Sequence, residues 1–432
     1  MAPRRPRADG GRRRSLGAHQ ERAAPARHVR AVPGARRDAA APRPRRPRHR
    51  PRPPRHGGVP HVRSLPMILD LSSDHVAPAH PAVLAAVAEA NQGRARSYGA
   101  DPWTREAERR LRAIFGPRMS YLPVFNGTGA NVLALTAMTR RWESVLCAED
   151  AHVHTDETAA PERAGLKLVL APSPTGRISP GTLARHLAPG NRHRPQVSVL
   201  SLTQSTELGT CYSVADLRAL CAEAHELGLA VHLDGARLAN AAVTLGVSWA
   251  ELTTAVGVDV VSLGCSKNGG LLGEGVVVLE PGAVPGLDYL HKAVGQLPAK
   301  TRFVSTQLLA LLDDDLWYRN ARHANAQARR LADGLARLDD VRVQLPTEAN
   351  AVFADVSAEV AARLAQDVAT ATWQTTGERG ERRLLRLMTA WDTDPADVDR
   401  VLACAAAAVG AGRPQQAEPV CSSPTALSAP RP

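Results

Sequence analysis

Lys267 is the residue of this sequence whose surroundings most clearly suit covalent chemistry. It follows the apolar run "VDVVSLG" (258–264), and the small-residue stretch "NGGLLGEG" comes directly after it. A lysine among glycines at the end of a buried strand is predicted to lie in a pocket, where its amine can form a Schiff base with a carbonyl compound. The alternative is a solvated charge in an ordinary loop.

Asp234 is a second candidate, because it ends the apolar run "LAVHLD" (229–234). A carboxylate buried at the end of a strand needs a cationic partner. The pyridinium nitrogen of pyridoxal phosphate would supply one, and Asp234 would keep that nitrogen protonated. The alternative partner is Arg237, through a local salt bridge.

The third candidate is an anion site in "FNGTGANVLAL" (125–135). The pattern predicts a strand that ends at Phe125, a turn through Gly127 and Thr128, and a helix that begins near Ala130. Backbone N–H groups and a hydroxyl at a helix N-terminus bind phosphate well. An ordinary strand–helix turn is the alternative, and a Walker loop is excluded because no GK[ST] follows.

The elements that must position these residues show a strand–helix alternation between residues 67 and 305. Seven near-continuous apolar runs are typical of strands covered on both faces: 121–125, 144–148, 166–170, 197–203, 229–234, 258–264 and 275–280. Ser213 is predicted to cap one intervening helix, which Gly228 ends. The pattern favours an α/β fold with a mostly parallel seven-stranded sheet, whose ligands gather at the carboxyl ends of the strands.

The pattern changes near residue 305, which divides the body into a large domain (67–305) and a smaller C-terminal α+β domain (306–411). The second part contains a long amphipathic helix (317–338), three short strands, and a last helix capped by Asp394 with Pro395 at its first position. Residues 412–432 are predicted to be a disordered tail.

An Arg- and Pro-rich tail, residues 1–66, accounts for the basic character of the chain. The net charge is +12, and residues 1–66 contribute 19 Arg and 3 acidic residues, which leaves a body of net charge −4. This tail has too few aliphatic residues to offset ordering entropy, so we predict disorder. It could be a nucleic-acid-binding arm or a poor transit peptide. We favour a start at Met67, with the tail as upstream sequence.

Cysteine spacing and hydropathy exclude several classes. None of the six cysteines forms a CxxC pair, so we expect neither a metal site nor a disulfide framework. No apolar run approaches the roughly 20 residues of a membrane helix. We therefore expect a cytoplasmic enzyme body that binds neither membrane nor nucleic acid.

This arrangement is typical of the pyridoxal-phosphate enzymes of the aspartate-aminotransferase fold, also called fold type I. In these enzymes a phosphate site, an aspartate and a lysine each come just after a strand. Residues 68–411 resemble the low-specificity L-threonine aldolase family of the β-eliminating lyase superfamily. The matching stretches, in the family's order, are "DLSSDH", "YGADPWT", "FNGTGAN", "AEDAHVHTDE", "HLDGARLANA", "GCSKNG", "GQLPAKTRF" and "RLMTAWDT".

The resemblance implies which residues bind the cofactor. Lys267 forms the Schiff base, Asp234 pairs with the pyridine nitrogen, and His152 stacks on the ring and helps to move a proton. The residues implied to hold the phosphate are Gly127, Thr128 and, from a neighbouring subunit, Arg302. His154 is the alternative to His152.

The resemblance also implies a substrate site and an activity. The residues that match carboxylate-binding positions are Ser73, Arg237 and Arg386. Tyr98 matches a position that lines the site, with simple packing as the alternative. The implied reaction is cleavage of L-threonine, L-allo-threonine and related β-hydroxy-α-amino acids to glycine and an aldehyde, by a homo-oligomer that is at least a dimer and is expected to be a tetramer.

The chain departs from the common family pattern at two places. It has Ser72 and His75 where much of the family reads Arg and Thr, and Glu207 where much of the family has a histidine. The general base therefore stays open. Alternatives are β-elimination, transamination or racemisation on the same fold, a nucleic-acid-associated protein, and a scaffold that binds no cofactor.

Overall fold

The computed structural model describes residues 69–377 and 380–410, so the predicted tails, 1–66 and 412–432, lie outside the described residues. Within these ranges the chain forms thirteen strands: β1 (Leu69–Asp70), β2 (Ser120–Val124), β3 (Glu143–Ala148), β4 (Leu168–Ala171), β5 (Gln196–Thr203), β6 (Ala230–Gly235), β7 (Val260–Leu263), β8 (Glu274–Val278), β9 (Arg342–Val343), β10 (Ala351–Ser357), β11 (Val368–Ala369), β12 (Ala371–Thr376) and β13 (Arg382–Met388).

Twelve α-helices lie in the same described ranges: α1 (Pro81–Ala90), α2 (Pro102–Phe115), α3 (Gly127–Met138), α4 (His152–Thr155), α5 (Ala160–Arg163), α6 (Val214–Glu226), α7 (Leu238–Leu245), α8 (Leu287–Ala293), α9 (Arg302–Leu312), α10 (Leu316–Leu335), α11 (Ala358–Leu364) and α12 (Pro395–Gly410). Two short 3-10 helices also matter for the site, Asp74–Val76 and Ser266–Asn268. No helix of the described part is both long and apolar enough to cross a membrane.

The central sheet has the strand order β2-β8-β7-β6-β5-β3-β4. Strand β8 runs antiparallel to both of its neighbours, and every other pair in the sheet is parallel. The seven strands coincide with the seven apolar runs, and central residues such as Leu200, Leu233 and Val261 are fully buried between helices on both faces. The predicted mostly parallel α/β sheet is confirmed.

A second sheet lies in the C-terminal part of the chain, with the order β12-β13-β10-β9 and antiparallel pairing throughout. A separate hydrophobic core forms where this sheet packs against α10, α11 and α12, around Leu331, Val352 and Val398. The sequence did not predict β12, because its "ATWQTT" is largely polar and only partly buried. The smaller C-terminal α+β unit is confirmed, whereas a boundary near residue 305 stays a prediction.

Side-chain caps set the ends of several helices as the sequence indicates. Ser213 accepts the Asp216 N–H at the start of α6, and the N–H of Ala396 bonds to Asp394 at the start of α12. Helix α3 begins at Gly127 rather than near Ala130, because the Asn126 side chain accepts the Gly129 N–H at 2.7 Å and caps the helix earlier.

Candidate active site

One cavity lies at the carboxyl ends of β6 and β7, beside the start of α3. Its lining combines the predicted lysine, aspartate, histidine and helix N-terminus: His75, Asn126, Gly127, Thr128, Ala130, Asn131, His152, Asp234, Ala236, Ser262, Leu263, Gly264, Ser266, Lys267 and Glu274. These residues come from six stretches of sequence, and the sheet topology brings them together. In a parallel sheet the carboxyl ends of the strands form one edge, which is where ligands bind.

Lys267 reaches the cavity from the 3-10 helix that follows β7. Glu274, at the start of β8, accepts hydrogen bonds from the backbone N–H groups of Cys265 and Ser266 and so fixes the turn that carries Lys267. The amine has no hydrogen-bond partner among the described residues, and the side chain is half-buried. The alternative of a solvated loop charge does not fit this position.

The turn also needs Gly264. A Cβ at this residue would lie 2.3 Å from the backbone oxygen of Ala236, at the end of β6. The close approach of the two strand ends is therefore compatible only with glycine, and it brings Lys267 and Asp234 to the same cavity.

Asp234 is almost completely buried, at 6% exposure. Its Oδ1 accepts the Ala236 N–H at 3.0 Å, and its Oδ2 accepts a hydrogen bond from Asn131 Nδ2 at 2.8 Å. Burial by itself raises the pKa of Asp234, but the positive charges of His152 and Lys267 outweigh burial and hold that pKa below its usual value. The carboxylate therefore stays ionised and faces the cavity.

The suggested local salt bridge between Asp234 and Arg237 is wrong. Arg237 instead binds Asp74 through two hydrogen bonds, Nε to Oδ2 at 2.7 Å and Nη2 to Oδ1 at 3.1 Å. Its Nη1 lies 3.8 Å from Glu207 Oε1. Burial alone would raise the pKa of Asp74, but Arg237 and Lys267 hold it well below its ordinary value. Sequence reasoning missed Asp74, although a buried arginine is costly without an opposite charge nearby.

The N-terminus of α3 forms the other end of the cavity, with Gly127 and Thr128 in its first turn. The first N–H groups of a helix have no partner within that helix and favour an anion. The side chain of Gln296 covers this turn, since a Cβ on Gly129 would lie 2.2 Å from Gln296 Cδ. Gln296 also accepts the Phe125 N–H at 3.0 Å, which holds it in place.

The structure places His152 in the cavity and leaves His154 exposed. His152 Nδ1 lies 3.1 Å from Oε1 of the buried Glu157. Burial lowers the pKa of His152, but the hydrogen bond to Glu157 and the charges of Glu207 and Asp234 together raise it above its ordinary value. The sequence pattern alone does not single out Glu157. The stretch "HVHTDE" offered two acidic residues, and only the fold shows which of them turns inward.

Arg386 on β13 is a half-buried cation that lacks a full set of partners among the described residues. Its Nε is buried and has no hydrogen-bond acceptor among the described residues, and the guanidinium lies 5.0 Å from the centre of the Trp373 ring. Burial lowers the pKa of Arg386, and the nearby charge of Arg237 lowers it further. Such a group is costly without an anion, so the guanidinium is suited to bind one.

Five of the predicted residues are not among those that line this cavity: Ser73, Tyr98, Arg237, Arg302 and Arg386. Ser73 caps the 3-10 helix Asp74–Val76 by accepting the His75 N–H at 3.2 Å. Arg302 donates to the Gly93 carbonyl at 3.2 Å, and Tyr98 is 52% exposed. The roles of Ser73 and Tyr98 in the substrate site, and of Arg302 at the phosphate of a neighbouring subunit, stay predictions.

The donor set of the cavity fits pyridoxal phosphate. A buried ionised carboxylate can face the pyridinium nitrogen, a half-buried amine without a partner can bind the aldehyde, and the start of α3 can hold the phosphate. The described residues contain no group of three or more histidine, cysteine or acidic side chains that could hold a metal ion.

Solved structures define the class to which this fold belongs. A threonine aldolase from Leishmania major superposes with a TM-score of 0.75 at 28% sequence identity, over 79% of this chain and 99% of that one. Serine palmitoyltransferase from Sphingomonas wittichii superposes with a TM-score of 0.60 at 16% identity, over 80% and 88% of the two chains, which shows the fold alone. The fold and the cavity are those of a pyridoxal-phosphate enzyme of fold type I.

Sequence relatives narrow the class. The sequence profile of the beta-eliminating lyase family matches residues 70–359. A low specificity L-threonine aldolase from Pseudomonas aeruginosa is 41% identical over 327 residues, which cover 75% of this chain and 93% of the relative. Another from a Pseudomonas species is 38% identical over 335 residues, 77% and 95% of the two chains. The chain belongs to the beta-eliminating lyase family, and the predicted family resemblance is confirmed.

Proposed function

We propose that this protein is a pyridoxal-phosphate-dependent aldolase that cleaves L-threonine, L-allo-threonine and related β-hydroxy-α-amino acids to glycine and an aldehyde. The observation that carries the proposal is the common cavity of Lys267, Asp234 and the α3 N-terminus. The similarity to Pseudomonas low specificity L-threonine aldolases over nearly their whole length supports this substrate class.

The residues of the cavity divide into cofactor and substrate roles. Lys267 would hold the aldehyde group of the cofactor, Asp234 its ring nitrogen, and Gly127 and Thr128 its phosphate. Bound pyridoxal phosphate supplies a sink for the electron pair that remains when the Cα–Cβ bond breaks. Asp234, whose buried carboxylate stays ionised, would keep the ring nitrogen protonated and so sustain that sink.

The substrate carboxylate is held by Arg386, whose buried Nε has no acceptor of its own. A guanidinium binds a carboxylate through two parallel hydrogen bonds and so fixes its orientation. Arg237 contributes its charge and Nη1, because Nε and Nη2 already bind Asp74. Ser73 is adjacent to Asp74 and completes this side of the site. Fixing the carboxylate selects which bond at Cα is aligned to break.

His152 takes the proton of the substrate hydroxyl, since it lines the cavity and its raised pKa suits a general base. Glu207 is the second candidate for this proton. It is only 5% exposed and lies in the loop after β5, near Arg237. Because Glu207 stands where much of the family has a histidine, it is also the residue most suited to set the preference at Cβ.

The complete enzyme is proposed to be a cytoplasmic homo-oligomer, at least a dimer and by expectation a tetramer. In this arrangement Arg302 reaches the phosphate of a neighbouring site and Tyr98 lines that site. Both residues lie outside the cavity of their own chain, and Tyr98 is well exposed, which is compatible with a role across an interface.

An aldehyde-release assay tests the proposed function. Purified protein with pyridoxal phosphate should produce glycine and an aldehyde from L-threonine, L-allo-threonine or a β-aryl serine. Lys267→Ala should lower kcat by more than about 10³-fold, the scale seen when a covalent catalytic residue is removed. It should also abolish the visible absorbance of the bound cofactor.

Lys167→Ala is the matched control, because Lys167 is exposed and lies outside the cavity. It should keep wild-type rates and absorbance. Release of ammonia and a keto acid without glycine would instead establish β-elimination, and wild-type rates in Lys267→Ala would reject the assigned lysine.

A further inference from the structure

Glu157 is a buried carboxylate next to the cavity. It has none of the proposed roles in binding the cofactor or the substrate. Its side chain is 0% exposed. Oε1 lies 3.1 Å from His152 Nδ1 and 3.0 Å from Asn131 Nδ2, while Oε2 is buried and has no hydrogen-bond partner among the described residues. A carboxylate in such a place is costly to bury, so its contacts require an explanation beyond packing.

Asn131 links Glu157 to the cofactor side of the cavity. Its Nδ2 donates one hydrogen bond to Glu157 Oε1 and a second to Asp234 Oδ2 at 2.8 Å. An amide nitrogen carries two hydrogens, and both are used here. His152, Glu157, Asn131 and Asp234 therefore form one continuous chain of hydrogen bonds, in which Glu157 Oε1 acts as an acceptor.

We propose that Glu157 is a positioning residue that decides which ring nitrogen of His152 carries the proton. Burial raises the pKa of Glu157, but Oε1 already accepts a hydrogen bond from Asn131 and is an acceptor whether or not Oε2 carries a proton. Nδ1 therefore donates to Oε1, and the single proton of the neutral imidazole stays on Nδ1. Nε2 is then unprotonated on the cavity side and can accept the proton of a substrate hydroxyl. This inference rests on the proposed function, in which His152 is that acceptor.

The charges around His152 act in the same direction. Facing it are Glu157 on the α4–α5 connection, Glu207 after β5, Asp234 on β6, Lys267 after β7 and His75 near the N-terminus of the described chain. Burial and the charge of Lys267 lower the pKa of His75, which favours its neutral form, so Lys267 is the cation that opposes the three acidic groups. These acidic groups stabilise the imidazolium that forms when Nε2 takes a proton. Glu157 alone among the three hydrogen-bonds to the ring.

Two substitutions separate the hydrogen bond from the charge. Glu157→Ala removes both, and we expect kcat to fall about 10- to 100-fold, a part of the roughly 10²- to 10⁴-fold that a positioned base contributes. KM should change little, because Glu157 does not touch the substrate. Glu157→Gln keeps an oxygen acceptor, so it should retain more activity, with the acid limb of its kcat profile moved to lower pH. The direction follows because losing a negative neighbour lowers the pKa of His152.

Glu162→Gln is the matched control, since Glu162 is exposed on α5 and lies outside the cavity. It should leave kcat and the pH profile unchanged. Wild-type kcat and pH profile in Glu157→Ala would overturn the inference, as would a Glu157→Gln profile that does not move. An equal loss in Glu157→Gln and Glu157→Ala without a shift of the profile would point to a structural role and also overturn it.

A second measurement does not depend on catalysis. Solid-state ¹⁵N NMR of histidine-labelled protein, with the His152 signals identified by their loss in His152→Asn, should show a protonated Nδ1 and an unprotonated Nε2 at alkaline pH, above the raised pKa of His152. Glu157→Gln should keep this pattern and Glu157→Ala should lose it. An unchanged pattern in Glu157→Ala rejects the inference. If wild type releases aldehyde from none of the three substrates, the proposed function fails, and the ¹⁵N pattern still decides the role of Glu157.

Discussion

Individual charged residues in this site differ mainly in whether they already have a partner. Arg237 and Arg386 both match carboxylate-binding positions, yet their guanidinium groups are in different states. Arg237 is held by Asp74 through two hydrogen bonds, whereas Arg386 has a buried Nε without an acceptor. Arg237 therefore acts mainly as a fixed charge, and Arg386 is the better ligand for the substrate carboxylate.

Arg386→Ala should raise KM for L-threonine by about 10- to 100-fold, because one hydrogen-bonded contact between charged groups is worth roughly 1.5–3 kcal/mol. Initial rates over a range of substrate concentrations measure this change. Protein stability should fall little, since the lost side chain left a donor unsatisfied. Arg383→Ala, on the same strand, is the control and should keep the wild-type KM, because the Arg383 guanidinium already donates to the Gly380 and Arg382 carbonyls. An unchanged KM in Arg386→Ala would assign the carboxylate to another residue.

At the scale of elements, the catalytic geometry depends on how closely two strand ends approach each other. Strands β6 and β7 pair in parallel from His232 to Gly235, and Gly264 then passes directly against Ala236. Asp234 and Lys267 extend from these two strand ends. The spacing of cofactor residues is therefore set by backbone packing rather than by side-chain contacts.

Gly264→Ala should disrupt this arrangement, because its Cβ would lie 2.3 Å from a backbone oxygen that cannot move freely. We expect weaker binding of pyridoxal phosphate, by about tenfold or more, and a destabilisation of about 1–3 kcal/mol from overpacking. Cofactor titration by absorbance and urea unfolding measure the two effects. In Gly282→Ala the new Cβ meets only the flexible Glu280 side chain, at 3.4 Å, so both quantities should stay at wild-type values. Unaltered cofactor affinity in Gly264→Ala would show that the strand ends adjust without cost.

At the scale of the whole molecule, charge and exposed surface are unevenly distributed. Residues 1–66 carry the excess of positive charge, and the remainder has a net charge of −4. A high sequence pI of about 10.1 therefore says little about the catalytic body. Large exposed apolar side chains such as Phe125, Leu271 and Leu272 lie in the chain segments next to the cavity residues Asn126 and Lys267, where a second subunit could cover them.

Mixing two inactive variants tests whether sites are shared between subunits. Lys267→Ala and Arg302→Ala should each be nearly inactive alone. Co-expression should restore about a quarter of the wild-type activity, because half of randomly formed dimers are mixed and each mixed dimer has one intact site. Aldehyde release by the purified mixture measures this recovery. No recovery in dimers shown to be mixed, or full activity of Arg302→Ala alone, would place Arg302 outside the neighbouring site.

The sequence by itself determined the central sheet and the main residues of the cavity. The seven apolar runs became its seven strands, because residues buried on both faces must be apolar along their whole length. Lys267, Asp234 and the Gly127–Thr128 turn each follow a strand, and parallel pairing brings such positions to one edge of a sheet. Local pattern was therefore enough to place them together.

Only the tertiary structure decided the charge partnerships. Arg237 pairs with Asp74, 163 residues away, rather than with its sequence neighbour Asp234, and Asn131 bridges Asp234 and Glu157. It also showed that five predicted residues do not line the cavity of Lys267 and Asp234: Ser73, Tyr98, Arg237, Arg302 and Arg386. Apolar periodicity indicates which face of a helix or strand is buried. A buried charge is stabilised by an opposite charge that the fold brings close, and that partner can be far away in sequence. No local sequence pattern contains this information.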